Sequence, residues 1–154
     1  MKNTLIAVLG VITVAALIAF IYTQMKGVAD RAATISEEVV TPYVGLLRDA
    51  RYEDAWNCCL SDGYKAQVSL AEFTAAQAAH VQNHGPLRGW REGNVQHEAD
   101  LFSSESLIGL NGVLEYEERD VFVLYKVDSA AEPLRIMQVF GSPDRSDSLS
   151  EGIW

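Results

Sequence analysis

Apolar residues fill the opening of the chain almost without interruption. The run LIAVLGVITVAALIAFIY begins at Leu5 and closes at Tyr22, and no charged residue falls between Lys2 and Lys26. A helix rises about 1.5 Å per residue, so about 20 apolar residues match a hydrocarbon layer about 30 Å thick. The pattern therefore predicts a single transmembrane helix over residues 1–25. A cleaved secretory signal has a shorter apolar core and a small-x-small site behind it. The nearest such site, Gly27-Val28-Ala29, follows Lys26, and the first cysteine, which a lipoprotein signal would need close by, is Cys58. The segment reads as a retained signal anchor, which puts the protein in the cell membrane as a single-pass chain. Lys2 lies on one side of the run and Lys26 and Arg31 on the other, so the basic residues do not orient it. The expectation that the soluble part is extracytoplasmic rests on the shortness of the leading tail.

Beyond the run the pattern becomes helical and amphipathic. Residues 26–41 lack glycine-serine linker composition and read as a juxtamembrane helical stalk. At Thr41-Pro42 either one helix ends and another starts, with Thr41 as its cap and Pro42 in its first turn, or one helix kinks. Val39, Val40, Tyr43, Leu46 and Leu47 recur at helical spacing and should face a core. A short helix follows over 51–60, with Tyr52, Ala55, Trp56 and Cys59 on one side and Ser61-Asp62-Gly63 as its stop. Ser69-Leu70-Ala71-Glu72 is a capping box that starts a helix running to about Asn83, where Asn83-His84-Gly85-Pro86 ends it. The periodicity then shortens to that of strands: 96–102, 108–117 (with Asn111-Gly112 as a turn or bulge inside it), 121–127 and 134–140. Helices followed by an antiparallel meander make an α+β domain over 42–141, three helices covering one face of about four strands. The polar stretch from 142 to 154 reads as a disordered tail.

Charge narrows the partners. All 21 acidic residues and ten of the 12 basic ones lie beyond residue 26, near −11 for that part. Nucleic acid, whose binding needs a basic face, is excluded on this ground, and so is a domain lying flat on anionic lipid. The two cysteines, Cys58 and Cys59, are adjacent and form no zinc or C-x-x-C pattern. On a helix one of them can be buried while the other faces out. They read as two small buried apolar residues. A vicinal disulfide, which is strained, and an intermolecular disulfide through the outer thiol are the alternatives.

The stretch PYVGLLRDARYEDAWNCCLSDGYKAQVSLAEF, from Pro42 to Phe73, has a helix, a charged link, an aromatic-x-x-Ala-Trp turn and then Ser-x-x-Glu-Phe. With the closing strands VLEYEERDVFVLYKVD and LRIMQVFG it resembles the nuclear transport factor 2-like (NTF2-like) superfamily. The resemblance implies a cone of helices wrapped by a curved sheet, and a dimer formed through the open face of that sheet. Many bacterial members resembling this chain are membrane-anchored or secreted and have no known chemistry. Type IV prepilins share the layout of apolar helix and head, but here Gly10 is followed by Val11 and residue 15 is alanine, which excludes them.

Some members of the superfamily are isomerases or dehydratases that use a carboxylate at the mouth of the cone. His97, Asp100, Tyr116 and Tyr125 are the candidates for such chemistry here. His97 and Asp100 are three apart on a predicted strand and would face opposite sides, which breaks the acid–base pair. His80 and His84, four apart at a helix end, have chelating spacing without a third ligand in view. No P-loop, G-x-S-x-G or G-x-G-x-x-G occurs. No catalytic residue, metal or cofactor is therefore assigned. Val123, Tyr125, Ile136 and Gln138 are strand positions for a ligand pocket or a dimer face, period-2 alternation leaving the side open. The sequence points to a membrane-tethered, non-enzymatic domain that binds a partner protein or a small apolar ligand at the cell envelope. An enzyme of the isomerase or dehydratase type and a structural subunit of a membrane complex are the alternatives.

Overall fold

The computed structural model describes residues 2–99, 106–129 and 131–142, with the side chains of 2–12, 24, 25, 28, 94–99, 106 and 142 outside that description. The expected tail and Asp100 also lie outside it. The chain divides into two units, Met1–Arg31 and Ala32–Trp154.

The first unit is helical throughout its described length and belongs to α1 (Lys2–Ile35). From residue 13 to residue 23 every side chain is exposed, whichever way it points, and Val14, Leu17, Ile18, Phe20, Ile21 and Tyr22 are among them. Among the described residues no helix is long and apolar enough to cross a membrane. The side chains of 5–12, the first part of the apolar run, lie outside the set so described.

The second unit is α+β. It opens on the last turn of α1, a π-helical segment (Ser36–Val40) and α2 (Thr41–Arg48), and continues through α3 (Tyr52–Cys59), α4 (Asp62–Gln67) and α5 (Leu70–His84). Strands β1 (Leu87–Ala99), β2 (Ser106–Tyr116), β3 (Asp120–Asp128) and β4 (Ile136–Ser142) form one antiparallel sheet in the order β1-β2-β3-β4. The expected meander is present.

Four local readings change. The stretch 32–40, read as stalk, packs into this unit: Ala32, Ile35, Val39 and Val40 are core residues. Backbone stays helical through Thr41 and Pro42, because a π turn absorbs the proline. Pro42 has no N–H to give the carbonyl four residues back. The bonding widens just before it, and the Thr41 N–H reaches Ser36 O. Thr41 is helical at φ −62° and is not the N-cap of α2. Ser61 starts a helix instead of stopping one, its hydroxyl accepting from the Tyr64 N–H at 3.1 Å and capping α4. The first strand begins at Leu87, well before residue 96. Its opening alternation is blurred by irregularities between Leu87 and Gly89 and between Glu92 and Val95.

Other features follow the sequence closely. At α5 the Glu72 N–H donates to Ser69 Oγ at 3.3 Å and the Ser69 N–H donates to Glu72 Oε2 at 2.8 Å, so the capping box is complete. The Ser69 N–H first, and then the Ser69 hydroxyl donating to Glu72 Oε2 at 2.7 Å, hold the Glu72 carboxyl below its ordinary pKa. Gly85 closes the helix at φ +77°, where a Cβ would meet Glu117 Cβ at 3.0 Å. Asn111-Gly112 lies within a continuous β2 and is not a turn. A Cβ at Gly112 would stand 2.6 Å from Trp90 Cε3 and 2.8 Å from the Arg91 carbonyl oxygen, so only glycine lets β1 carry a tryptophan across it.

The core lies between helices and sheet. Tyr43, Val44 and Leu47 of α2, Ala55, Trp56 and Cys59 of α3 and Phe73 of α5 meet Leu110, Leu114, Val121, Val123, Tyr125 and Val127. The strand residues alternate as period 2 requires. Leu60 forms a parallel bridge with Ile136, and the Ser61 N–H donates to Ile136 O at 2.9 Å, which fastens the helical layer to the edge strand β4.

Candidate functional site

The inward face of β2, β3 and β4 meets α2 and α5 at a narrow cleft. Tyr43 and Leu47 enter it from α2 and Gln77 and His80 from α5. The sheet contributes Leu114 and Tyr116, then Val121, Val123 and Tyr125, then Val139 and Gly141. The cavity volume is about 20 Å³, on the scale of a single water. The wall is mostly apolar, with three phenols, an amide and an imidazole as its polar groups.

Tyr125 is the centre of this site. It is fully buried, and its ring is held edge-on between Tyr43 (centroids 5.9 Å, 80°) and Trp90 (6.0 Å, 82°). Its hydroxyl is buried with no hydrogen-bond partner among the described residues. Burial, and then the neighbouring Tyr116, raise its pKa, so at neutral pH it is a hydrogen-bond donor. Tyr43 is raised well above the ordinary phenol value, first by burial and then by Tyr125, Tyr64 and Tyr116. Tyr116 is pushed up to about 12 by burial and then by Tyr52.

His80 and His84 stack at 5.9 Å with 22° between their planes, and both approach the Tyr116 ring, at 6.4 and 5.6 Å. Burial first and the His84 charge second lower His80 to about 4. It is therefore neutral at pH 7. Among the described residues no group of three or more His, Cys, Asp or Glu side chains is placed to hold a metal ion. None of the residues lining the cleft is a carboxylate. The site at neutral pH is thus uncharged, and one of its lining residues carries a buried phenolic hydroxyl with no partner among the described residues.

Of the strand residues singled out from sequence, Val123 and Tyr125 line the cleft. Ile136 is fully buried, and Gln138 is exposed on the opposite face, paired in register with Lys126. One set thus divides between two faces, because the register slips between Lys126 and Val127. Tyr116, weighed as an acid–base candidate, lies beside Tyr125, while His97 belongs to β1 with its side chain outside the description and pairs in register with Ile108. Tyr43 is legible in the sequence only as a core-facing helical position, and nothing in its spacing or that of Gln77 marks a cleft residue.

Comparison with models of protein families, with curated proteins and with solved structures found no match for this chain.

Proposed function

We propose that this chain is a membrane-anchored, non-enzymatic binding domain of NTF2-like type, whose cleft takes the polar end of a small, mostly apolar ligand carrying one hydrogen-bond acceptor. The observation that carries this reading is the Tyr125 hydroxyl, fully buried and unpartnered among the described residues, on a residue that lines the cleft. An unpaired buried donor costs about 1–3 kcal/mol, and a ligand carbonyl would recover that cost. The lack of a lining carboxylate, and a pKa of about 4 that makes the His80 imidazole a weak base, support binding over proton abstraction from carbon. At about 20 Å³ the cleft suits the tip of a ligand, with its apolar body at the mouth. The order of helices followed by a four-stranded meander supports the NTF2-like assignment.

The test compares two probes of similar size that differ in the acceptor, cyclohexanone and methylcyclohexane, titrated into the full chain in nonionic detergent and followed by backbone amide shifts. The expected result is saturable shifts around Tyr125 and His80 with the ketone, at least tenfold weaker with the hydrocarbon, and equal weak responses for both in Tyr125→Phe. Equal responses in the unsubstituted protein refute the reading.

The membrane anchor is supported by the exposure of the apolar helix on every side over residues 13–23, since a helix apolar all round needs an apolar surrounding. Thr23 hides its hydroxyl by donating to Ala19 O at 2.8 Å. Retention in the membrane pellet after alkaline carbonate washing is expected, and release by carbonate alone counts against an anchor.

A second reading, a homodimer through the outer face of the sheet, is favoured by Val113, Phe122 and Phe140, half-buried apolar residues on the face opposite the helices. Lys126 covers the Phe140 ring at 5.5 Å, and Arg91 pairs with Glu115 and Asp120 at the rim. Sedimentation equilibrium should give twice the protomer mass, and Phe140→Asp half of that; a monomer at all concentrations refutes it. An envelope partner protein would compete for the same face.

A further inference from the structure

We infer that Cys58 and Cys59 form a reversible dithiol–disulfide site that exchanges with small dithiols and disulfides, with Cys58 Sγ as its point of attack. The two sulfurs are bonded to each other, and they are the chain's only cysteines. Their Cα atoms lie 3.8 Å apart, the spacing of any two consecutive residues on a trans peptide. The bond therefore joins nothing that the backbone does not already join. A disulfide stabilises in proportion to the chain entropy it removes, which grows with the length of the closed loop. Between neighbours the loop is the shortest there is, so a role as a structural staple is disfavoured.

What the bond does change is chemistry at one accessible point. Cys58 is exposed on the last turn of α3, whereas Cys59 is a core residue at 6% exposure. An incoming thiolate can reach only the outer sulfur. A dithiol's thiolate attacks Cys58 Sγ, the Cys58–Cys59 bond breaks, and Cys59 Sγ leaves as a thiolate and takes a proton. The reductant's second thiolate then attacks its own sulfur in the mixed disulfide, which frees Cys58 as a thiol once protonated. Two electrons and two protons pass to the protein, and the dithiol becomes a disulfide. A small-molecule disulfide drives the reverse, with Cys59 closing onto the mixed disulfide at Cys58.

The surroundings favour a slow, stoichiometric exchange. Cys58 and Cys59 end a helix, where the dipole disfavours a thiolate, and α3 has no basic residue in its last turn. The nearby Lys65 ammonium donates to Asn57 O at 3.3 Å. The chain contains no third cysteine to turn the site over.

The experiment uses the full chain in detergent and mass spectrometry of the tryptic peptide 52–65. After equilibration with glutathione disulfide, iodoacetamide should add nothing; after dithiothreitol it should add two groups. Return to glutathione disulfide should restore the bond with no glutathione retained. Cys59→Ser should instead hold one glutathione at Cys58, and in Cys58→Ser the buried Cys59 should alkylate at least tenfold more slowly than Cys58 does in Cys59→Ser. Two alkylated cysteines after the disulfide buffer, or a dimer linked through Cys58, overturns the proposal. So does a melting temperature that falls by about 10 °C or more on reduction, since that would mark a staple.

Discussion

Replacing Tyr125 with phenylalanine should stabilise the fold, which is an unusual expectation for a fully buried aromatic. The substitution removes one oxygen and keeps the ring in its edge-on contacts with Tyr43 and Trp90. Two effects oppose each other. A buried hydroxyl without a partner costs about 1–3 kcal/mol, and that cost disappears. The lost oxygen also gives up its dispersion contacts, at about 0.1–0.2 kcal/mol each, so roughly 1 kcal/mol for a handful of neighbours. Tyr125 lines a cleft of about 20 Å³, so packing beside it is incomplete and the loss stays at the low end. The net is a gain of about 1 kcal/mol, or about 4 °C in melting temperature for a domain of this size. Urea unfolding of the full chain in nonionic detergent, followed by tryptophan fluorescence, measures it, because Trp56 and Trp90 both lie against the core. A loss of 1 kcal/mol or more refutes the reasoning, for it would mean that the hydroxyl is well bonded in the folded chain. The same substitution should abolish the preference for a ketone probe, so stability and binding should move in opposite directions, as at sites kept for function.

Three further outcomes are expected. Gly112→Ala should cost about 1–3 kcal/mol in urea midpoint analysis, because its Cβ has no room beneath Trp90 and β2 cannot move without breaking two ladders. Ser69→Ala should cost about 1 kcal/mol of stability by the same assay, through loss of the reciprocal cap on α5. Because burial and the His84 charge lower His80 from 6.5 to about 4, the unfolded chain takes up its proton first as pH falls; stability from this group is full above about pH 6.5, declines below it and is gone past about pH 4. Thermal melts across that range should show this component, and His80→Gln should remove it.

The legible and illegible parts of the fold differ for physical reasons. Local chemistry was readable wherever it is self-contained. The Ser69–Glu72 box needs only its own four residues, and β3 announces itself by the β-branched and aromatic run VFVLYKV, most of it buried. What could not be read depends on partners distant in sequence. Gly112 looks like a turn residue beside Asn111, and only the ring of Trp90 on the next strand explains it as a strand residue. The segment before Pro42 looks like a stalk because Ala32, Ile35, Val39 and Val40 have the spacing of any amphipathic helix; which surface they bury against is a tertiary fact. The cleft was half visible. Val123 and Tyr125 read from the sequence as strand positions that could face a pocket, but a slip of register next to Lys126 sends Gln138 to the opposite face. No periodicity encodes such a slip.

The same irregularities that hid the site also build it. A regular α-helix through Pro42 would lose a bond at the proline; the π turn over Ser36–Val40 keeps the chain helical and carries Thr41 and Tyr43 on to the sheet. Thr41 Oγ1 then accepts from the Trp90 indole N–H at 3.4 Å, and the Ser36 hydroxyl donates to Glu92 at 2.8 Å, so both ends of this segment are tied to β1. Trp90 can lie flat across β2 only because Gly112 has no side chain. Its ring stands at 82° to that of Tyr125, which stands at 80° to that of Tyr43. The unpaired hydroxyl is therefore fixed by a clamp of two rings, one held by the glycine gap and the other delivered by the π turn. A phenol so confined cannot rotate away to seek water, which is what makes its unpaired state costly and its recovery by a ligand acceptor a source of affinity.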